Sequence, residues 1–320
     1  MIRYGYKLAA EGFAPGELVR QAELAEQSGF DFVEISDHFH PWLDSQGHSA
    51  FAWSVLGSIA AKTTRLGLAT GVTCPTVRYH PAVIAQAAAT LALLSNGRFT
   101  LGVGSGERLN EHVVGRGFPA VAERQDLLRE AIEIIRLLWS GGYHSYRGEY
   151  LDLEDARVFD LPDELPVIAV AAGGPDAAEL AAELGDGMFG TEPKPELLET
   201  YRAAGGVGPR YGEVGLAWAE TEEAAVRSAF ETSRWSLTGW KVMSELPNPA
   251  NFEAAAEVVR PEDVANAMPC GPDVAKHLDA IRKYEEVGYD HVVLMNNGPD
   301  PDGFMDFFAN ELKPRLSPSA

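Results

Sequence analysis

Positive charge is scarce in this chain. Lysine and arginine total 26 against 47 aspartates and glutamates, a formal net charge of −21 at pH 7. A surface that acidic repels phosphate backbones and anionic lipid, so sequence-independent binding to nucleic acid or membrane is excluded. Cysteine is nearly missing too. Cys74 and Cys270 lie far apart without metal-ligand spacing, so no disulfide framework or zinc site follows, and a reducing cytoplasm is the expected compartment. No uninterrupted apolar run is long enough to span a bilayer. Residues 1–7 lack the apolar stretch of a signal peptide. No low-complexity linker or internal repeat divides the chain, so one domain over 1–320 is expected.

What is there is an alternation of strand-like and helix-like segments. Apolar or alternating runs predict strands at 2–7, 31–35, 65–73, 99–103, 166–170, 187–190, 213–219 and 291–295. Amphipathic helices are expected between them at 17–28, 51–62, 83–94, 120–139, 177–184, 196–203, 222–235 and 273–287. A hairpin is expected over 143–153, with Arg147-Gly148-Glu149 at its turn. Residues 236–269, rich in proline with one short helix, read as an insertion near the substrate pocket. The fold class is α/β, and eight alternations suit a single (β/α)8 TIM barrel with insertions.

Reactive residues of such barrels sit at the C-terminal ends of the strands. Those positions hold Glu11, Asp37-His38, Trp42, Thr73-Cys74, Ser105-Gly106-Glu107, Asn110, Gly173-Gly174, Thr191 and Lys194. The densest stretch is Ser36-Asp37-His38-Phe39-His40-Pro41-Trp42, an acid, two imidazoles and an indole after a buried strand. An imidazole near neutrality, two carboxylates and glycines that admit a ligand to the backbone fit general acid–base chemistry. Asp37 is expected to orient the His38 ring and favour its charged form. Gly102-x-Gly104-x-Gly106 does not have dinucleotide-fingerprint spacing, whereas Ala171-Ala172-Gly173-Gly174-Pro175 closes a strand, opens a helix and offers its amides to a ligand. His38-Phe39-His40 also admits a metal-dependent barrel hydrolase, but that site needs ligands from later strands, and no other histidine follows strand five or six.

Together these stretches resemble the F420-dependent branch of the luciferase-like oxidoreductases, and most of all the F420-dependent glucose-6-phosphate dehydrogenase group. The matching residues include Gly5-Tyr6-Lys7, Glu11, Ser36-Asp37-His38-Phe39, Pro41-Trp42, Arg78-Tyr79, Gly102 to Glu107, Leu109-Asn110-Glu111 and Ala171 to Pro175. The resemblance implies a luciferase-like barrel binding coenzyme F420, with a non-proline cis peptide near Gly71-Val72-Thr73. It implies coenzyme contacts from Asp37, Val72, Cys74, Ser105, Gly106, Asn110, Gly173 and Gly174. The implied reaction is hydride transfer between an alcohol-type substrate and C5 of the deazaflavin. His38 or Glu11 would accept the hydroxyl proton, Glu107 would manage a proton at the coenzyme, and Trp42 would shape the substrate side. Thr191, Lys194 and Lys241 match positions that grip a sugar phosphate, while Val264 to Pro269 lacks the arginine of that grip. A homodimer with a contact near 81–94, no resident metal and a small-molecule substrate are also implied. An FMN-dependent monooxygenase on the same fold is the alternative.

Overall fold

The computed structural model describes residues 2–316. Eight parallel strands close into a barrel: β1 (Arg3–Leu8), β2 (Phe32–Ile35), β3 (Gly67–Thr70), β4 (Phe99–Val103), β7 (Val167–Ala171), β8 (Gly187–Gly190), β9 (Arg210–Leu216) and β10 (His291–Asn296). The first strand pairs with the last, Tyr6 against Leu294, so the two ends of the chain complete one ring. Between β4 and β7 lies a separate antiparallel hairpin of β5 (His144–Arg147) and β6 (Asp152–Ala156). The expected (β/α)8 architecture is the one observed.

Helices α1 (Pro15–Ser28), α2 (Ala52–Lys62), α3 (Pro81–Leu94), α5 (Val121–Trp139), α6 (Pro175–Leu184) and α7 (Pro195–Ala203) follow the strands on the outside, and the short α4 (Arg108–Glu111) lies against the loop after β2. Each of α1, α3, α6 and α7 starts with proline in its first turn, where the missing N–H leaves no bond unmade. In α5 the buried residues Leu127, Leu128, Ala131, Ile134, Ile135 and Leu138 recur at three- and four-residue steps, which puts one apolar stripe against the barrel. All four residues of β2 are buried, as expected for a strand with barrel interior on one side and helices on the other.

The interior is layered. Phe32, Ala169, Phe189, Tyr211 and Val293 form one apolar cluster, with the Phe189 and Tyr211 rings stacked at 4.5 Å. Two residues further along their strands, Lys7, Glu34 and Glu213 meet in a charged layer nearer the C-terminal mouth. A period of two places each pair on the same inward face.

Four elements differ from expectation. The β3 ladder stops at Thr70 rather than 73; a cis Gly71–Val72 peptide follows, and Thr73 makes an isolated bridge to Val103. The strand expected at 213–219 begins earlier, at Arg210, whose charge disguises a strand start. Its guanidinium pairs with Asp290 at the barrel's other end. The segment 236–269 holds three short helices, α9 (Trp240–Met243), α10 (Pro249–Ala255) and α11 (Pro261–Ala267), after α8 (Glu222–Ser233). Two of them begin at prolines that sequence reading takes as breakers. After α12 (Val274–Val287) and β10, a further helix α13 (Pro301–Phe307) was not anticipated. It leads into Phe308, which stacks on Phe30 with centroids 3.6 Å apart.

Candidate active site

The loop after β2 brings His38 over the barrel mouth, between two carboxylates. Its Nδ1 lies 2.5 Å from Glu11 Oε1 and its Nε2 lies 3.8 Å from Glu107 Oε1. The Glu11 contact is a close ion pair and not an aligned hydrogen bond, because neither atom has a partner of proper hydrogen-bond geometry. All three side chains are mostly buried, His38 at 11% exposure and Glu107 at 13%. Burial opposes charge on the imidazole, yet Glu11 and then Glu107 outweigh it and raise the His38 pKa above its usual value. Burial likewise opposes charge on Glu11, and His38 outweighs it, so the Glu11 carboxyl stays below its ordinary range.

Trp42 covers the other side of the imidazole. Its ring meets His38 edge to face at 4.8 Å and stacks on Trp235 at 4.0 Å. Phe252 from α10 and Met243 from α9 complete that apolar wall, so the 236–269 segment packs onto the residue beside the reactive histidine.

Asp37 does not orient His38. Its two oxygens accept from Thr73 Oγ1 (2.7 Å), Trp53 Nε1 (3.1 Å), Tyr79 OH (3.0 Å) and an Arg78 guanidinium nitrogen (3.1 Å). These partners occupy Asp37, and it is Glu11 that meets the His38 ring. Sequence reading paired His38 with the wrong acid. Asp37 instead ties the His38 loop to the segment after β3.

Asn110 ties that loop to the other carboxylate. Its Oδ1 accepts from the backbone amides of Phe39 (2.7 Å) and His40 (2.9 Å), while Nδ2 donates to Glu107 Oε1 at 2.5 Å. His40 turns elsewhere: Nδ1 meets the Leu109 carbonyl at 3.1 Å, so His38 and His40 do not converge as a metal reading requires. Among the described residues no group of three or more histidines, cysteines, aspartates or glutamates is arranged to hold a metal ion.

Cys74 is buried beside Gly106 and Glu111, its Sγ 2.9 Å from Thr76 Oγ1. Burial, then Glu111, pushes its thiol well above the usual value, so it is a neutral contact rather than a nucleophile. Val72 packs against Gly104 and Ala171 at the end of the barrel interior. Ser105 is half-buried in the loop that carries Glu107. Gly173 and Gly174 have nothing within 4 Å of where a Cβ would stand, so the end of β7 is open space bounded by backbone. A ligand can approach main-chain groups there, and these residues fit a flat cofactor with a polar tail.

The expected substrate residues lie further out. Thr191 is exposed after β8, Lys194 pairs with Glu192 at 2.8 Å, and Lys241 is exposed on α9. The sequence alone assigns no role to Arg78, Glu111, Lys7, Glu34 or Glu213, although Lys7, Arg78 and Glu111 stand in the matching stretches. Arg78 Nε lies 3.5 Å from Glu111 Oε1, and burial lifts the Glu111 carboxyl to about 7. The legible signal was charge inside strand runs, as in Phe32-Val33-Glu34-Ile35, where a buried acid demands a partner.

Residues 2–291 match the family model described as luciferase-like monooxygenase. The chain is 39% identical to an F420-dependent glucose-6-phosphate dehydrogenase of Kineococcus radiotolerans, over 99% of this chain and 98% of that protein. It is 38% identical to the protein of the same description from Beutenbergia cavernae, over 99% and 98%. Among solved structures, an F420-dependent secondary alcohol dehydrogenase in complex with an F420–acetone adduct superposes with a TM-score of 0.91 at 28% identity, covering 99% of each chain. A tetrahydromethanopterin reductase of Methanopyrus kandleri, at 21% identity and a TM-score of 0.79, shares the fold. With its closed barrel and a family match over nearly its whole length, this chain belongs to the luciferase-like monooxygenase family.

Proposed function

We propose that the protein is an F420-dependent oxidoreductase that moves a hydride between the carbinol carbon of an alcohol-type substrate and C5 of the coenzyme. One observation carries the reading: a buried imidazole held between two carboxylates, Glu11 and Glu107, at the barrel mouth. Two dehydrogenases similar to this chain in sequence, and the alcohol dehydrogenase that superposes on it, share the F420 dependence.

Coenzyme F420, when bound, supplies a deazaflavin ring that takes up or gives back a hydride while reacting poorly with oxygen. The chain's own residues supply seat, orientation and proton handling. Val72, Cys74, Ser105, Gly106, Asn110, Gly173 and Gly174 would hold the coenzyme, with Asp37 fixing the backbone beneath it. In the oxidising direction the neutral His38 ring accepts the substrate hydroxyl proton at Nε2, and Glu11 steadies the imidazolium that forms. Glu107 would exchange a proton on the coenzyme side. Trp42, backed by Trp235, excludes water from that side of the imidazole.

Thr191, Lys194 and Lys241 are the substrate-binding residues of this reading, with the 236–269 segment forming that side of the pocket. Lys194 pairs with Glu192 at the exposed rim of that side. The same reading makes the protein a cytoplasmic homodimer, with the exposed Val83 and Leu94 of α3 as contact residues. The test is a coenzyme titration followed by a substrate screen. F420 fluorescence is expected to be quenched on binding. At least one secondary alcohol or sugar phosphate should bleach its visible absorbance, and His38→Ala should abolish the bleaching. Binding of FMN in place of F420 would favour the monooxygenase alternative instead.

A further inference from the structure

Lys7, Glu34 and Glu213 form a charged cluster that the proton chemistry at His38 leaves unused. The Lys7 ammonium donates to Glu34 Oε1 at 2.5 Å, to Glu213 Oε2 at 2.6 Å and to the Gly71 carbonyl at 2.8 Å. That accounts for all three of its protons. Lys7 is 6% exposed and Glu34 1%. Burial resists the charge on Lys7, but Glu213 and Glu34 outweigh it and keep the ammonium protonated. Taking ions out of water costs several kcal/mol each, and apolar side chains of equal volume stabilise a core as well or better. Stability therefore does not account for this layer.

What an apolar layer cannot do is hold a carbonyl. Gly71 opens the short segment where the β3 ladder ends and the chain crosses the mouth. From there Thr73 N donates to the Gly102 carbonyl, and Thr73 Oγ1 donates to Asp37. Only glycine fits at 71, because a Cβ there would stand 1.9 Å from Glu34 Oε1. Val72, the next residue, is wedged where Gly104 leaves room for it, its Cγ2 lying 2.8 Å from that glycine's Cβ position. The cluster thus supports the segment from below while Asp37 and Gly102 hold it at the far end.

We propose that Lys7 is a positioning residue for the coenzyme ring: by anchoring the Gly71 carbonyl, with Glu34 and Glu213 holding its ammonium in place, it sets Val72 as the ring's seat. The inference rests on the F420 reading above.

Its test uses a variant that keeps the volume and removes all the charge together, Lys7→Met with Glu34→Gln and Glu213→Gln. Coenzyme affinity is measured on the apo-protein by F420 fluorescence, folding by thermal unfolding, and substrate KM at saturating coenzyme. The folded triple variant is expected to bind F420 at least about tenfold more weakly, with substrate KM within about twofold of wild type. Wild-type affinity in the folded triple variant overturns the proposal. So does a parallel rise in coenzyme Kd and substrate KM, which marks general loosening of the mouth. Glu213→Gln alone, at the 17%-exposed edge of the cluster, covers the case in which the triple variant does not fold. It is expected to weaken F420 by about two- to fivefold, and an unchanged Kd there overturns the proposal as well. Wild-type protein that binds no F420 defeats the functional reading itself, whereas bound coenzyme indifferent to Lys7 defeats only this inference.

Discussion

At the scale of single residues, the His38–Glu11 contact sets the pH at which the site works. The His38 pKa is raised because Glu11, helped by Glu107, overrides burial. A base must be neutral to accept a proton, so in the oxidising direction the rate falls as His38 becomes protonated on the acid side. Glu11→Gln removes the main stabilising charge and leaves burial more nearly unopposed, which lowers the imidazole pKa. The acid limb of the kcat/KM profile is therefore expected to move to lower pH. At its plateau kcat should fall by roughly 10²-fold, the low end of what a positioned base is worth. A pH–rate series on both proteins decides it; a limb that stays put removes Glu11 from this role. The same pair also ties stability to pH. Glu11's contribution is present above its ordinary 4.5 and lost as pH falls through its depressed folded value. That of His38 is full below 6.5 and lost as pH rises through its raised folded value.

At the scale of elements, the connection from β4 to α4 carries Glu107, and its shape depends on Gly106. That residue sits at φ 77°, where a side chain is strained, and a Cβ would stand 2.6 Å from Cys74 Sγ and 2.8 Å from Glu111 Cγ. Gly106→Ala is expected to cost roughly 2–5 kcal/mol, combining left-handed strain with overpacking. Urea unfolding measures it, and adding Cys74→Ala should restore part of the loss by removing the nearer atom. No rescue means that strain and the Glu111 contact set the cost. Elements such as β4, β8 and α5 were legible because periodicity and glycine or proline punctuation agreed with burial. Less legible were elements defined by tertiary pairing. Arg210 starts a strand only because Asp290 lies across from it, and Phe308 becomes core only because Phe30 waits on the opposite end of the chain. For the site, residue types after each strand could be read, and they put His38, Glu11, Glu107 and Trp42 in one place. Which acid faces the ring could not, since adjacency in sequence favours Asp37, whereas Glu11, far upstream, reaches the ring only because β1 pairs with β2.

At the scale of the molecule, closure of β1 onto β10 gives a barrel whose surface carries most of the excess acid. Many of its basic groups are already engaged, as in Arg129–Glu183, Arg136–Asp186 and Arg20–Asp302, so much of the remaining acid repels itself. Self-repulsion between exposed charges is screened over about 10 Å at 0.1 M salt and about 3 Å at 1 M. Raising sodium chloride across that range is expected to raise Tm by several degrees, since about 1 kcal/mol shifts Tm by a few degrees in a domain of this size. The buried Glu11–His38–Glu107 set is shielded from counter-ions by Trp42 and the 236–269 helices, so the acid limb of the rate profile should barely move over the same salt series. Measured together, the two responses separate surface from site. A Tm that falls with salt would mean that attractive surface pairs outweigh the acidic excess. A limb that shifts with salt would mean that the histidine titrates in contact with bulk solvent, and the closed, tuned imidazole on which the proton transfer depends would be lost with it.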